Sequence, residues 1–501
     1  MMTIQLSREA NKPLYLQVAD QLRMQIENGE LAPDTRLPAS RRLARQLGVN
    51  RITVVNAYAE LEAEGLVVSR VGSGTFVAAP DRPYQPDKPA SAQPAANIRP
   101  WTAHQTLTEM ARLSHQPGVI SFAAGAPASE LLPVNQFRRA LNDVLRRDGA
   151  EALQYEQATG YWPLRDSIAV WLRRQNIPVK GDEIIITTGC QQALDMALRM
   201  LTRSGNGVLM VEDPCYLGLL DIVNSRRVSP IGIPLDEHGI QVEWLEPLIR
   251  RHRPQLIYVT PTFHNPTGAT MPLERRQALL DIAARCNVPI LEDTSYDALR
   301  YEGDPLPTLK SLDTADIVLQ AGGFSKTLVP GLRIGYLIVP PLLHRRLIAT
   351  KQTTDISTSP LNQRALYTYL QSGHFDQHLR RVRQAYQERR DAMLTALARH
   401  FPADARWRTP DGGMYIWVEM PASGPAATDL YMAARNYNVA FAIGSVFSAS
   451  GSFTHAMRLN FVSNSPADIE EGIRRLGKAW KELLEDFTTP DAAYQPAMHI
   501  L

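Results

Sequence analysis

Cysteine is scarce in this chain, and so are long apolar runs and an excess of charge of either sign. The three cysteines, Cys190, Cys215 and Cys286, form no Cys-x-x-Cys pair, which argues against a zinc site and a disulfide framework. No apolar run approaches the roughly 20 residues that cross a bilayer. The N-terminus lacks the apolar core of a secretory signal. We therefore expect a cytoplasmic protein with no membrane segment and no metal centre.

The net charge of +2 gives no overall attraction to nucleic acid, so any basic surface must be local. A length of 501 residues predicts two or three domains with ample core. Composition and pattern divide the chain into a small domain over residues 1–79, a proline-rich linker over 80–116, a large domain over 117–486 and an irregular tail over 487–501.

The first eighty residues predict a helix-turn-helix. A short helix over 40–46, a turn at Gly48 and a second helix that begins near Asn50 have the spacing of that motif. An amphipathic helix precedes them, because apolar residues recur there at four-residue spacing: Leu14, Val18, Leu22 and Ile26.

A hairpin and a run of arginines follow the pattern of a DNA-binding domain. Two β-rich runs around the Gly-rich turn 71–74 predict a hairpin that would act as a wing. From Arg36 to Arg51 there are five arginines and no acidic residue, and arginine makes bidentate contacts with phosphate or guanine. Arg51 and Thr53 fall on the first turn of the second helix, the part that usually enters the major groove. A small helical module whose arginines are only solvated is the alternative.

Residues 80–100 are rich in proline and have almost no large apolar side chain. The segment contains six prolines, so we expect it to be extended and to form no core. At about 3.1 Å per residue it would reach on the order of 60 Å. That is long enough to carry the N-terminal domain across a dimer interface, although a passive tether explains the composition equally well.

The rest of the chain alternates β-rich runs with helical patterns. Short apolar strands are predicted at 184–187, 208–211, 256–259, 289–292 and 317–320. This alternation predicts an α/β fold with a largely parallel sheet buried on both faces. In such a fold, ligand groups gather where the strands end.

Polar and reactive residues follow these strands. Gly189 opens a helix after the first strand, where free N–H groups can bind an anion. Asn265, held extended before a proline, and Tyr296 can both donate to a phenolate oxygen. Asp293 can pair with a pyridinium nitrogen. Lys326 follows the last of the strands, and its amine can condense with an aldehyde.

Taken singly, each of these residues could be a turn, a helix cap or a packing residue. Their order argues otherwise, because they follow one another by 28 residues (265 to 293) and by 33 residues (293 to 326), about one strand-helix-strand unit each. A hydroxyl at Ser325 and a guanidinium at Arg333 flank the Lys326 amine. This arrangement predicts a lysine that holds pyridoxal phosphate (PLP) as a Schiff base.

The run from Leu37 to Val77, LPASRRLARQLGVNRITVVNAYAELEAEGLVVSRVGSGTFV, resembles the winged-helix domain of the GntR regulator family along its whole length. The family usually has Ser directly after the loop proline, where this chain has Ala39, so the cap of the short helix is in question. The resemblance implies contacts with double-stranded operator DNA from four residues: Arg41, Arg51, Thr53 and Gly74.

Residues 118–480 resemble the fold-type I PLP-dependent enzymes of the aspartate aminotransferase superfamily. The runs Ile120–Pro127 and Leu153–Glu156 are similar to early motifs of the 2-aminoadipate and kynurenine aminotransferases. The resemblance implies PLP as cofactor and a transferase domain with a mostly parallel sheet and a smaller C-terminal α+β subdomain.

Position by position, the resemblance implies a role for each site residue. Lys326 would be the Schiff-base lysine, Asp293 would pair with the pyridine nitrogen, and Asn265 and Tyr296 would contact the 3-hydroxyl oxygen. Tyr216 would stack on the ring. The phosphate would be held by a further group: Gly189, Cys190, Gln191, Ser325 and Arg333.

Three more positions complete the implied site. Tyr155 would reach the phosphate of the neighbouring subunit, which implies a dimer. Arg458 would clamp a substrate carboxylate, with Gly125 also at the substrate. Cys190 departs from the commoner Ser or Ala, which leaves its backbone N–H as the group that would serve the phosphate.

A GntR-type winged helix joined by a proline-rich linker to an aminotransferase-like domain resembles the MocR/GabR-type transcription regulators over nearly the whole chain. This resemblance implies a DNA-binding regulator, built as a domain-swapped homodimer, that senses an amino acid or amine through an aldimine at Lys326. Two alternatives stay open. One is an active aminotransferase with a DNA-binding appendage, in which Lys326 serves as general base. The other is a regulator for which PLP itself is the signal.

Overall fold

The computed structural model describes residues 6, 14–28, 31, 35–63, 66–70, 74–77 and 116–488. The chain divides into two compact units, Met1–Ala96 and Asn97–Leu501. Residues 80–115 of the predicted linker, the hairpin turn at 71–73 and the tail beyond 488 lie outside the described residues.

The described residues of the first unit form three helices and a hairpin. Val18, Leu22, Val54 and Leu61 are fully buried and form the centre of its core. Gly48 ends the second helix in the left-handed conformation, with φ 64°, and turns the chain toward the third. The predicted winged helix-turn-helix is confirmed, with these bounds: α1 Leu14–Glu27, α2 Ser40–Leu47, α3 Arg51–Ala63, β1 Val67–Arg70 and antiparallel β2 Gly74–Val77.

Helix α2 begins without a side-chain cap. Ala39 is its N-cap residue and makes no capping hydrogen bond through its side chain. Ser40 is instead the first helical residue, and its hydroxyl accepts a hydrogen bond from the Arg51 Nε at 3.5 Å. The departure at position 39 therefore removes a cap but leaves the helix in place.

A mostly parallel sheet of eight strands lies at the centre of the second unit. The strands of this unit are β3 Ile120–Ser121, β4 Ile184–Thr187, β5 Val208–Asp213, β6 Ser229–Asp236, β7 Gly239–Ile240, β8 Leu256–Val259, β9 Ile290–Asp293, β10 Val318–Gly323, β11 Gly335–Ile338, β12 Arg406–Trp407, β13 Tyr415–Glu419, β14 Val439–Ala440, β15 Ala442–Ile443 and β16 Ala456–Asn460. The order in the large sheet is β4-β11-β10-β9-β8-β5-β6-β7.

The five predicted strands are present, and β5 and β10 extend further along the chain than predicted. Neighbours from β10 to β6 pair in parallel. Strand β11, which the alternation did not predict, runs antiparallel between β10 and β4. Strands β6 and β7 were missed as well. The predicted α/β class is confirmed.

Helices cover the sheet and build the smaller subdomain. They are α4 Val134–Asp148, α5 Trp162–Arg173, α6 Cys190–Leu201, α7 Leu217–Ser225, α8 Leu245–His252, α9 Leu273–Cys286, α10 Leu309–Leu312, α11 His344–Asp355, α12 Pro360–Gln371, α13 His374–His400, α14 Ala427–Arg435 and α15 Pro466–Thr488. Helices α13, α14 and α15 pack together near the antiparallel sheet β12-β13-β16-β15, which gives the α+β subdomain.

The predicted start of the irregular tail, at residue 487, falls within the last turn of helix α15, and residues 489–501 lie outside the described residues. Helix α15 continues to Thr488. Its apolar side extends past the fully packed Trp480 to the half-buried Leu483 and Leu484, which lie against the core. Among the helices described here, none combines the length and apolarity that a membrane crossing requires.

Charged groups are buried beside the strand that carries Asp293. Arg276 is fully buried, and its guanidinium donates to three backbone carbonyls in two loops. Glu292 accepts hydrogen bonds from two backbone N–H groups of α10. Asp297 has an enclosed oxygen that accepts no hydrogen bond from the described residues. Burial, and next the charge of Glu292, raise the pKa of Asp297 to about 8.

We expect Asp297→Asn to flatten the pH dependence of folding stability. The unfolded carboxyl titrates near roughly pH 4, whereas the folded one keeps its proton up to about pH 8. Between these values the folded state binds more protons, so wild-type stability falls as pH rises, by up to about 1.4 kcal/mol per pH unit relative to the variant.

Urea unfolding of both chains across that window measures the difference. Asp143→Asn, at an exposed carboxyl on α4, is the control and should leave the profile unchanged. Parallel stability profiles for wild type and Asp297→Asn would contradict the raised pKa.

Candidate functional site

Loops at the carboxyl ends of neighbouring strands carry the predicted reactive residues. Asn265 follows β8, Asp293 ends β9 and Lys326 follows β10, and these strands are parallel neighbours. Because the carboxyl ends of parallel strands share one edge of the sheet, the three side chains converge. One cavity at this edge is lined by most of the predicted cofactor-binding residues: Cys190, Gln191, Tyr216, Asn265, Asp293, Tyr296, Ser325, Lys326 and Arg333.

The Lys326 amine points toward the segment Ile120–Pro127. Its Nζ donates to the carbonyl oxygen of Gly125 at 2.6 Å. Phe324 and Leu328 on either side of the lysine are buried in the core and hold the loop. Gly125, which was predicted at the substrate, therefore lies beside the reactive amine.

A chain of hydrogen bonds crosses the middle of the cavity. Asn265 Nδ2 donates to the Tyr296 hydroxyl at 3.0 Å, and the Tyr296 hydroxyl lies 3.4 Å from the hydroxyl of Tyr415. Burial, followed by the neighbouring Tyr415, raises the pKa of Tyr296 well above its ordinary value. Tyr296 thus keeps its proton. Tyr415 begins β13 in the subdomain and was not predicted, because it does not follow one of the predicted strands.

Asp293 lies at the deep end of the cavity among three donors. Its carboxylate accepts hydrogen bonds from the Tyr258 hydroxyl at 3.1 Å and the Ser295 N–H at 2.9 Å. The Cys190 thiol points at the same group, with Sγ 3.6 Å from Oδ1. Burial raises the pKa of Asp293, and these hydrogen bonds oppose that shift. The Cys190 thiol therefore donates to Asp293, a contact that the sequence did not predict.

Tyr258 also escaped the sequence-based prediction. It lies inside β8, where an aromatic residue in an apolar strand indicates packing alone. The structure shows a fully buried phenol whose hydroxyl donates to Asp293 and accepts from the Thr260 hydroxyl at 3.2 Å. The alternation of strand side chains could have found it, because Tyr258 and Thr260 share a face.

Arg458 in β16 is sandwiched between two aromatic rings. Its guanidinium carbon lies 4.2 Å from the ring centroid of Tyr415 and 4.8 Å from that of Phe447. It donates to the Asn265 Oδ1 at 2.9 Å and to the Ala123 carbonyl at 2.6 Å. The side chain is buried, and its Nε donates to none of the described residues. An enclosed cation with a free N–H suits a ligand carboxylate.

The loop between β4 and α6 lies at the end of the cavity that is suited to an anion. Gly189 is the N-cap residue of α6, with φ 81°, and a methyl carbon there would lie 2.7 Å from an Arg333 nitrogen. Arg333 is exposed, and Ser325 lines the cavity nearby. The Gln191 side-chain oxygen accepts a hydrogen bond from the Tyr216 hydroxyl at 3.1 Å. The Gln191 backbone N–H in the first turn is the group that can meet an anion.

The remaining predicted residues lie at the surface or in the first unit. Tyr155 is 83% exposed and is not part of the cavity lining. Arg41 on α2 and Arg51 on α3 are exposed, and Thr53 in the first turn of α3 is partly buried. Gly74 is the first residue of β2.

The donor set of the cavity fits PLP. The anion site can hold a phosphate, and the Asp293 carboxylate can pair with a pyridine nitrogen. The Asn265–Tyr296 pair can contact a phenolic oxygen, and the Lys326 amine can react with an aldehyde. A side chain at position 189 would fill the space before Arg333, so Gly189 is part of the fit. When bound, PLP supplies an electron-withdrawing ring next to Lys326.

Comparison with known families agrees with this assignment. Residues 117–476 match the family of class I and II aminotransferases, and residues 14–77 match the gntR family of bacterial regulatory proteins.

Two curated relatives show the two parts of the likeness. The 2-aminoadipate transaminase of Thermus thermophilus is 38% identical over 382 residues, which cover 76% of this chain and 94% of that protein. The HTH-type transcriptional regulator YdfD of Bacillus subtilis is 32% identical over 475 residues, which cover 94% of this chain and 97% of its own.

A solved structure shows the same fold for the large domain. Kynurenine aminotransferase of Pyrococcus horikoshii, determined in complex with PMP, is 35% identical and superposes with a TM-score of 0.72 over 77% of this chain and 95% of its own. The chain thus belongs to the class I and II aminotransferase family and, over nearly its whole length, to the HTH-type transcriptional regulators, with a GntR-type DNA-binding domain ahead of the aminotransferase domain.

Proposed function

We propose that this chain is a PLP-dependent transcription regulator that binds operator DNA through residues 14–77 and senses an amino acid or amine at Lys326. One observation carries the proposal. A single chain holds both a winged helix-turn-helix and a cavity with every donor that PLP requires. An enzyme alone has no need of the first unit, and a simple DNA-binding protein has no need of the second.

The effector is a small molecule with an amino group and, in the preferred case, a carboxylate. Lys326 would hold PLP through its amine, and a ligand amine would compete with Lys326 for that position, close to the Gly125 carbonyl. A ligand carboxylate meets the Arg458 Nε, which is buried without a partner among the described residues. The Asn265 oxygen holds the Arg458 guanidinium in place for this contact.

Control of DNA binding requires that the ligand bind one arrangement of the protein more tightly than another. We infer a homodimer in which Tyr155 reaches the neighbouring subunit's site, and its high exposure within one subunit supports this. The proline-rich residues 80–100 are long enough for a domain-swapped arrangement. Ligand binding at Arg458 then changes the spacing of the two DNA-binding domains.

A catalytically active aminotransferase is the second candidate, and the intact donor set favours it. Lys326 lies where a general base must lie, and Arg458 can orient an amino acid. Steady-state turnover with an amino acid and a 2-oxo acid separates the two candidates. We expect half-reactions or none from the regulator, and sustained turnover would favour the enzyme.

The first unit should lose operator affinity when Arg51 is changed. Arg51 is exposed at the start of α3, the part of the motif that usually meets the major groove. For Arg51→Ala we expect a loss of about 1–3 kcal/mol in binding to the promoter DNA beside its own gene. Titrations at several salt concentrations measure it. Arg139→Ala, at an exposed arginine of α4, is the control, and equal affinities for the two variants would contradict the DNA contact.

Lys326→Ala should separate sensing from DNA binding. Without the amine, PLP has no covalent tie to the chain, so the visible absorbance of the lysine-bound cofactor and its response to amino compounds should disappear. Operator binding without ligand should stay within about threefold of wild type, because the first unit is unchanged. Lys481→Ala, at an exposed lysine of α15, is the control. A full ligand response on DNA in Lys326→Ala would exclude sensing through this amine.

A further inference from the structure

Tyr415 lies behind the cavity wall and belongs to the subdomain, not to the large sheet. It is 2% exposed and begins β13, directly opposite Asn460 of β16. Its ring packs edge to face against Tyr296, with the centroids 5.7 Å apart, and the two hydroxyls lie 3.4 Å apart. The phenol therefore reaches from the subdomain to Tyr296, which lines the PLP-binding cavity.

The hydroxyl of Tyr415 fills the space above Gly125. A methyl carbon at position 125 would lie 2.6 Å from this oxygen and 3.6 Å from the Lys326 Nζ. The nearest ring carbon of Tyr415 would be 3.8 Å away, an ordinary contact. The crowding thus comes from the hydroxyl, which shares the space over Gly125 with the reactive amine.

Two cations surround this hydroxyl. The Arg458 guanidinium stacks on the Tyr415 ring, and the Lys326 amine borders the same space over Gly125 as the hydroxyl. Burial raises the pKa of Tyr415, but the Arg458 and Lys326 charges outweigh it and bring the pKa below the ordinary value of a tyrosine. A phenol with a weakened O–H bond next to a buried guanidinium is a strong hydrogen-bond donor to an anion.

We propose that Tyr415 is a specificity-determining residue of the effector site, whose hydroxyl donates to the ligand carboxylate that Arg458 binds. The inference rests on the proposed function and deepens it. It assigns the site to α-amino acids in preference to amines that lack the α-carboxylate. Phenylalanine at this position would keep the ring under Arg458 and lose only the donor.

The test compares matched ligands in wild type and Tyr415→Phe. The probes are L-phenylalanine with 2-phenylethylamine and L-leucine with 3-methylbutylamine, titrated against the visible spectrum of the PLP-loaded full chain. A hydrogen bond to a charged group predicts a loss of about tenfold or more in amino acid affinity for Tyr415→Phe. Amine affinity should stay unchanged. Tyr437→Phe, at a tyrosine paired with Glu482 outside the cavity, is the control.

Each outcome decides something different. An equal loss for amino acids and amines, or no loss for either, overturns the role of Tyr415 and leaves the proposed function standing. If the wild-type chain responds to none of the four probes and to no other amino acid, both the role of Tyr415 and the proposed function are overturned. A wild-type far-ultraviolet circular dichroism spectrum and a cooperative thermal unfolding transition show that the large domain of Tyr415→Phe is folded.

A double-mutant cycle that combines Gly125→Ala with Tyr415→Phe tests the position of the Tyr415 hydroxyl in the absence of cofactor and ligand. In the wild-type background the new methyl meets the Tyr415 oxygen and should lower the melting temperature of the cofactor-free chain. In the Tyr415→Phe background the loss should be smaller by about 2 °C or more. Equal losses in both backgrounds would show that the hydroxyl does not lie over Gly125 and would overturn the inference.

Discussion

The Asn265 side chain connects the two halves of the PLP-binding cavity and fixes the direction of its hydrogen bonds. Arg458 can only donate, so the amide oxygen of Asn265 must face it, and the amide nitrogen must face Tyr296. The Tyr296 oxygen then accepts, and its own hydrogen is left to point toward Tyr415 or toward a ligand oxygen. One buried amide thereby links a loop of the large sheet to strand β16 of the subdomain and positions the Arg458 guanidinium.

This link gives a physical basis for sensing. The large sheet supplies Lys326 and Asp293, whereas the subdomain supplies Arg458 and Tyr415. In the function that we propose, a ligand that contacts both parts of the domain favours the arrangement that brings them together. Such a ligand changes DNA binding only if its affinity differs between the two arrangements of the protein. The same donor set also suits transamination, so a regulator and an enzyme can share it.

The sequence predicted those parts of the structure that depend on local pattern. Short apolar strands, the helix-turn-helix and the residues after each strand could be read from the chain, because parallel strands bring their carboxyl ends to one edge. Strand β11 could not, since its place depends on antiparallel pairing with β10 and β4. Tyr415 was missed for a related reason. It lies 119 positions from Tyr296, and only the packing of the subdomain brings them together. The contact between the Cys190 thiol and Asp293 likewise depends on tertiary packing and could not be predicted from local sequence pattern.

The central claim is that ligand binding at Lys326 and operator binding are coupled. By linkage, the factor by which an effector changes operator affinity must equal the factor by which the operator changes effector affinity. The direct measurement is the effector dissociation constant of the PLP-loaded chain, taken from the visible spectrum, with and without saturating operator DNA. We predict a change of about fivefold or more between the two conditions. Identical dissociation constants would contradict it.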